Sequence, residues 1–321
     1  MTEQDIFKLI YQNEFGCGHF IKNTEASLKL ISDEFKSAPK TDRLFEDIGN
    51  GYVRLYISAL DEESFDAEIL NALFAESAKH SGGSKENLIN KLYSACDAIS
   101  KESIEKYINS QCPMVSHSDP YRKAYNPAYR VLKKSLAQLY IPFVSIKKAS
   151  DRRNLTVAFD GKAASGKTTA AELFKSAANC RIIHADDFFL PFNMRTRERL
   201  SSPGGNIHFE RLKSEVINNL GDKSLTYGKF DCSKGIITGQ ITAEKAPVTI
   251  IEGAYSLHPF LGDIYDFKIF FDIDDNEQER RILSRNGEEM FKKFKEIWIP
   301  MENRYFEYYG IKNKCDYVVK A

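Results

Sequence analysis

Leu155-Thr-Val-Ala-Phe159-Asp-Gly161-Lys162-Ala163-Ala164-Ser165-Gly166-Lys167-Thr168-Thr169-Ala170-Ala171-Glu-Leu173-Phe174 is the stretch on which the fold turns. It opens as a short apolar strand, Leu155 to Phe159, and ends in a helical rhythm through Ala170, Ala171, Leu173 and Phe174. Between the two, Gly161 to Thr168 fits the pattern G-x-x-x-x-G-K-[ST]. Glycines let the backbone curl round a triphosphate, with successive amides and the positive end of the following helix facing it. Lys167 adds a point charge at the β and γ phosphates, and Thr168 offers a hydroxyl to Mg²⁺. Gly161, Lys162, Ala163, Ala164, Ser165, Gly166, Lys167, Thr168 and Thr169 are therefore the expected nucleotide-binding residues.

Outward from this loop, β-rich runs alternate with helical ones: Arg181 to His184, Val248 to Ile251, Phe267 to Ile273 and Asp316 to Val319. Strands alternating with helices predict a parallel sheet covered on both faces, an α/β unit over residues 151–321. Upstream of the polar stretch Lys147 to Asn154 the rhythm differs. From Asp5 to about Leu139 apolar residues recur at three and four, as in Leu28, Ile31 and Phe35 or Leu88, Leu92 and Ala95. Residues 1–150 thus read as an all-α domain, broken at Gly16 and Gly18, Pro39, Gly49 and Gly51, Gly82 and Gly83, Pro113 and Pro120. Asn126 as a cap and Pro127 at the first helical position predict one further helix, from Pro127 to about Leu139.

Lys plus Arg equals Asp plus Glu at 45 each, so no net field draws the molecule toward nucleic acid or an anionic membrane, and any anion site must be local. The six cysteines lack CxxC spacing and suit reduced thiols, hence a cytoplasmic protein. No apolar run reaches the roughly 18 residues of a membrane span. The sequence leaves a homo-oligomer open.

Beyond the loop, Ile182-Ile-His-Ala-Asp186-Asp187-Phe188-Phe189 puts two carboxylates just past a strand, at the sheet edge where ligands of open α/β folds bind. Phosphoryl transfer to an alcohol needs a carboxylate there to orient the hydroxyl and accept its proton. An adjacent Asp pair also serves as a cap. Val248 to Ile251 ends in Glu252-Gly253, a second carboxylate that suits a metal keeping several waters, or a turn. Arg281 and Arg285, four apart, share a helical face able to close over the transferring phosphate, with Arg280 beside them.

Together these residues resemble the uridine kinase and phosphoribulokinase group of P-loop kinases. The resemblance spans about Leu155 to Val319 and rests on the loop, on His184-Ala-Asp186-Asp187-Phe188-Phe189, on Ile251-Glu252-Gly253 and on the arginine helix ending Arg285-Asn286-Gly287. It implies a five-stranded parallel sheet flanked by helices, use of ATP and Mg²⁺, and a phosphotransferase with an alcohol acceptor. It makes Asp186 the general base and a metal-shell residue, with Asp187 the neighbouring alternative. Thr168 and Glu252 join the metal shell. Lys167, Arg281 and Arg285 attend the phosphates.

The substrate motifs diverge. Pro203-Gly-Gly205-Asn206-Ile-His208-Phe209 stands where such kinases show Asn-x-Asp-His-Pro, leaving His208 without the Asp and Pro. Asp231 in Lys229-Phe230-Asp231-Cys232 is the counterpart of a ribose-gripping Asp. Arg195, Arg197 and Arg199 suit an anionic substrate or a solvated helix. A nucleoside such as uridine is the default acceptor. A sugar phosphate, a pantothenate-like or glycerate-like acceptor, and a nucleotide-gated binding protein are the alternatives. In the first half Cys17, His19, Cys112 and His117 are zinc-ligand types, but Cys-x-His is an unusual pairing, and buried thiols with a satisfied histidine are the commoner arrangement. Tyr121, Tyr125 and Tyr129 with Arg122 and Arg130 read as core aromatics or as a substrate-facing surface.

Overall fold

Helical spacing upstream of residue 145 and strand–helix alternation downstream build two different units. The computed structural model describes residues 2–17, 23–79 and 82–321, and the chain divides into Met1–Val144 and Ser145–Ala321. Gly18, His19 and Phe20 lie outside the described residues.

The first unit contains α1 (Glu3–Phe15), α2 (Thr24–Ser37), β1 (Phe45–Gly49), β2 (Tyr52–Tyr56), α3 (Ala67–Lys79), α4 (Lys85–Ser94), α5 (Lys101–Asn109), α6 (Asp119–Tyr125), β3 (Tyr129–Lys133) and α7 (Lys134–Ala137). Helix α8 (Tyr140–Ser150) crosses the division. Helices start on polar caps: the Asn23 side chain accepts from the amides of Glu25 and Ala26, and Ser84, Ser100 and Ser118 cap α4, α5 and α6. Leu88, Leu92, Ile99 and Ile104 are buried together with Phe7 and Tyr107.

The all-α expectation needs correction here, because β1, β2 and β3 form an antiparallel sheet in that order. The helix expected from Pro127 to Leu139 is a strand over Tyr129–Lys133 followed by only the short helix α7, and Asn126 ends α6 in the left-handed conformation (φ 37°) instead of starting a helix. Tyr129, Arg130 and Val131 pair with Tyr56, Leu55 and Arg54. Aromatic and β-branched residues facing one another across strands outweigh the helical signal of Asn-Pro.

The second unit contains β4 (Leu155–Gly161), α9 (Lys167–Ala177), β5 (Cys180–His184), α10 (Arg197–Ser201), α11 (Phe209–Glu215), β6 (Ser224–Asp231), β7 (Ile236–Glu244), β8 (Val248–Glu252), β9 (Phe267–Asp272), α12 (Asp275–Lys293), α13 (Ile299–Tyr309) and β10 (Tyr317–Lys320). Five strands pair in parallel in the order β10-β9-β4-β8-β5, the sheet that the alternation predicts. Strand β8 is buried along its whole length, as a sheet covered on both faces requires. A separate antiparallel ribbon, β6-β7, goes beyond the expected elements. Its alternation is plain in β6, where Leu225 and Tyr227 are buried and Thr226 and Lys229 exposed.

Register brings the chemistry to one edge. Glu252 at the end of β8 pairs with Phe159 of β4 on one side and with His184 of β5 on the other. Gly161 (φ 136°) passes so close to Phe271 that a β-carbon would collide with the Phe271 backbone, so no other residue fits. Helix α12 starts on the Asp274 side chain and is broken at Gly287 (φ 74°, ψ 172°), and a π-helical turn, Phe294–Trp298, leads into α13. Among the described residues no helix is long and apolar enough to cross a membrane.

Candidate active site

The loop between β4 and α9 lies over a cavity of about 710 Å³. Ala163 through Thr169 all line it. Ala164 is held at φ 59° and Gly166 at φ 92°, conformations that curl the chain into a cradle at the start of α9. Among the described residues the buried Ser165 hydroxyl has no hydrogen-bond partner, as suits a donor free for a ligand oxygen. Lys167 is buried, and its Nζ donates to the carbonyls of Gly161 and Lys162 at 2.8 Å each, which anchors the ammonium at the loop. Gly161 and Lys162 do not line the cavity. Gly161 makes the tight turn, and the Lys162 ammonium is occupied by the Ile273 carbonyl (3.0 Å), Asp275 (3.0 Å) and Asp272 (3.2 Å).

Thr168 Oγ1 donates to Glu252 Oε1 at 3.0 Å, and His184 Nδ1 lies 2.6 Å from the same oxygen. That hydrogen bond, followed by the Glu252 charge and opposed by burial, raises the His184 pKa. A hydroxyl and a carboxylate side by side at a phosphate loop are the donor set that Mg²⁺ takes when phosphates and waters supply the rest. Among the described residues no group of three or more His, Cys, Asp or Glu would cage a metal without such help.

Asp186 and Asp187 part company. Asp186 is exposed and lines the cavity. The protein packed around it raises its pKa, as does the Glu252 charge, while Lys167 and His184 pull the other way. Asp187 is buried and its Oδ1 accepts the Phe230 amide of β6 at 3.3 Å, while its carbonyl accepts from Arg211 Nη2. Asp187 therefore fastens the strand-end turn to the ribbon.

The arginines differ as well. Arg281 donates to Glu277 (2.7 Å) and to the Ala164 carbonyl of the loop (3.3 Å), and lines the cavity with Arg285. Arg280 pairs with Glu277 and stays outside. Arg195 lines the cavity too, its Nε donating to the Leu190 carbonyl at 2.9 Å. His208 and Asp231 do not line it. His208 caps α11 by accepting the Arg211 amide at 3.3 Å, and Asp231 closes the β6-β7 turn by accepting from Ser233 N (2.9 Å), Ser233 Oγ (2.6 Å) and Lys234 N (3.2 Å).

Two acidic residues escaped the sequence reading. Asp160 is fully buried and takes four donors: Gly161 N at 2.7 Å, Tyr255 N at 3.0 Å, Leu257 N at 2.9 Å and Tyr305 OH at 2.8 Å. It welds the start of the loop to the segment after Glu252. Its signal was a carboxylate at the end of an apolar strand. Glu302, on α13, accepts the Ala163 amide at 2.9 Å and lines the cavity. Burial pushes its carboxyl up to about 7, against the pull of Lys167 and the Ala163 amide, with Asp186 adding to the rise. With the partners 139 positions apart, no local pattern marks it.

In the first unit, Cys17 is buried with its Sγ 4.0 Å from the Phe74 carbonyl, and Cys112 belongs to the apolar cluster. His117 sits between Asp5 (3.2 Å) and the Tyr129 hydroxyl (2.7 Å), the satisfied state, and His19 lies outside the described residues. Tyr121 stacks on His117 and Arg54 lies over Tyr129, so these aromatics pack on their own unit.

No family model and no curated protein matches the chain. Among solved structures it is similar to a possible uridine kinase from Bacillus stearothermophilus, at 18% identity over 56% of this chain and 98% of that one, with a TM-score of 0.41. It is also similar to TT1252 from Thermus thermophilus (15% identity, 53% and 90% coverage, TM-score 0.32). A D-glycerate 3-kinase from Cryptococcus neoformans gives 15% identity, 50% and 84% coverage and a TM-score of 0.38. A five-stranded parallel sheet with a glycine-rich loop leading from β4 into α9 is a P-loop fold. At these TM-scores the likenesses carry no argument, and the chemistry rests on the residues themselves.

Proposed function

We propose that the protein is an ATP-dependent phosphotransferase that moves the γ-phosphoryl group to an alcohol of a small molecule. The observation that carries this reading is Asp186, a carboxylate lining the same cavity as the loop residues Ala163 to Thr169. A protein that only bound and released nucleotide would need no proton acceptor facing a second ligand.

The loop amides, Ser165 and Lys167 hold the triphosphate, and Arg281 and Arg285 offset charge as it spreads over the transferring group. Thr168, Glu252 and Asp186 are the residues to hold Mg²⁺, which would neutralise the phosphate oxygens. Asp186 orients the acceptor hydroxyl and takes its proton. The acceptor oxygen forms the new bond to the γ phosphorus, the bond to the β,γ-bridging oxygen breaks, and ADP leaves. A nucleoside gains no support from Asp231, whose carboxylate is engaged in its own turn.

MgATP should raise the melting temperature, because a ligand that binds only the native state stabilises it by mass action. Lys167→Ala should remove most of the shift. A shift left intact in the variant would mean that the nucleotide binds elsewhere and would sink the reading.

A further inference from the structure

The acceptor half of the cavity has a chemistry of its own. Resting on the phosphotransferase reading, we infer that the acceptor is an anionic alcohol with an apolar body, its anion held by Arg195 and its body by Phe189, Leu200 and Met301.

Arg195 is a half-buried guanidinium for which no carboxylate of the described residues forms an ion pair. Its Nε is fixed on the Leu190 carbonyl and its plane lies over Phe192, 4.7 Å from the ring centroid. The side chain is thus positioned by the protein while its charge is left uncompensated. Arg199 and Arg211, by contrast, are paired, the first by two bonds to Glu210 and the second with Glu215. A partly desolvated cation without a counter-ion is costly unless a ligand supplies the charge. The other cavity cations are accounted for by the phosphates.

Apolar side chains share the cavity lining with Arg195. Arg304 Nη2 donates to the Leu200 carbonyl at 2.8 Å, which seats α13 against α10, the helix just after Arg195. Met301, three residues before Arg304 on α13, lines the cavity with Leu200 and Phe189. Two polar groups punctuate the wall. The Tyr255 hydroxyl and Asn206 Oδ1 are buried close to one another without a well-formed hydrogen bond, and both residues line the cavity. They suit a second polar group on the ligand. Among the described residues Asp186 is the only Asp in the lining, so no pair of aspartates there is placed to grip the two hydroxyls of a ribose.

The test uses the full-length chain with MgATP and follows ADP release. Tropate (3-hydroxy-2-phenylpropanoate) carries a carboxylate, a phenyl body and a primary alcohol. The monophosphate of 2-phenylpropane-1,3-diol replaces the carboxylate by a phosphate. Tropamide removes the charge, D-glycerate removes the apolar body, and uridine stands for nucleosides. Either anionic phenyl compound should be phosphorylated with kcat/KM at least about tenfold above the other three, and the better one identifies the anion. Arg195→Gln should raise its KM by about 10- to 100-fold, the usual worth of a charge-assisted contact, with MgATP binding unchanged and partial rescue in Arg195→Lys. Equal turnover of tropamide or uridine, an unaffected Arg195→Gln, or no turnover of either anionic compound while MgATP still binds would each overturn the inference. Loss of the MgATP-induced melting shift in the native protein would instead refute the phosphotransferase reading beneath it.

Discussion

Glu302 Oε2 accepts the backbone amide of Ala163 at 2.9 Å, so a carboxylate from α13 sits on the phosphate loop itself. Its carboxyl is pushed from 4.5 up to about 7, which makes folding stability depend on pH. The native state holds its proton more tightly than the unfolded chain. Stability is therefore lost as pH rises from about 4.5 through about 7, and the loss is complete above that. Glu302→Gln keeps an oxygen for Ala163 and cannot ionise. It should be more stable than the parent at pH 8 by up to roughly 3 kcal/mol, with the gap closing at pH 5. Urea melts at the two pH values measure this, and a gap independent of pH would show that Glu302 does not titrate in that range.

Thr168 and Glu252 meet at 3.0 Å where a metal would complete the loop. Removing the hydroxyl with Thr168→Ala should raise the Mg²⁺ concentration that half-saturates the ATP-induced melting shift by about 10- to 100-fold, as changes in metal surroundings commonly do. The shift produced by ATP in EDTA should stay the same. An unchanged Mg²⁺ titration would remove Thr168 from the metal shell.

Asp186 and Asp187 are neighbours with opposite surroundings, one open to the cavity and one holding Phe230. Asp186→Asn should lower kcat by about 10² to 10⁴ while the melting temperature and ATP binding hold. Asp187→Ala leaves the Phe230 amide unpaired and should cost about 1–3 kcal/mol of stability, with a smaller effect on kcat in the protein that remains folded. The reverse pattern would exchange the two roles.

How far the sequence led depended on how local each interaction is. The loop from Ala163 to Thr169 was legible because a triphosphate cradle needs glycine and lysine at fixed spacing within one strand–helix junction. Asp186 and Glu252 were legible because each stands at or just past the carboxyl end of a strand, and parallel strands present those ends on one edge. Choosing between Asp186 and Asp187 required the ribbon that buries Asp187, a tertiary contact across 43 residues. Asp231 and His208 were candidate substrate ligands by their place in a kinase motif that otherwise diverges here. Their side chains instead close a turn and cap a helix, uses that Asp and His find easily within two or three residues. In the first unit, Asn126-Pro127 reads as a helix start by itself, and only pairing with Tyr52–Tyr56 makes Tyr129–Lys133 a strand.

Asp160 offers the sharpest test of how the loop is held. Its Oδ1 accepts from Gly161 N and Tyr255 N, and its Oδ2 from Leu257 N and Tyr305 OH, all at 2.7–3.0 Å in a site with no solvent exposure. Tyr255 itself has φ 74°, a strained value for a residue with a side chain, so its amide is held in place largely by this carboxylate. Asp160→Ala strands four donors at once and should destabilise the second unit by about 3–5 kcal/mol, the range for breaking a buried charged network. Asp160→Asn should recover little, because its amide nitrogen would face another donor at Leu257 or Tyr255. Tyr305→Phe removes one donor and leaves the others paired, so its cost should be nearer 1 kcal/mol. For a unit of this size the Ala variant should melt about 6–20 °C lower. MgATP should restore part of the loss, since the nucleotide reorders the loop that Asp160 anchors. An Asp160→Ala protein melting within 2 °C of the parent would show that the Gly161 turn and the Tyr255 backbone hold themselves, and that the carboxylate is a passenger.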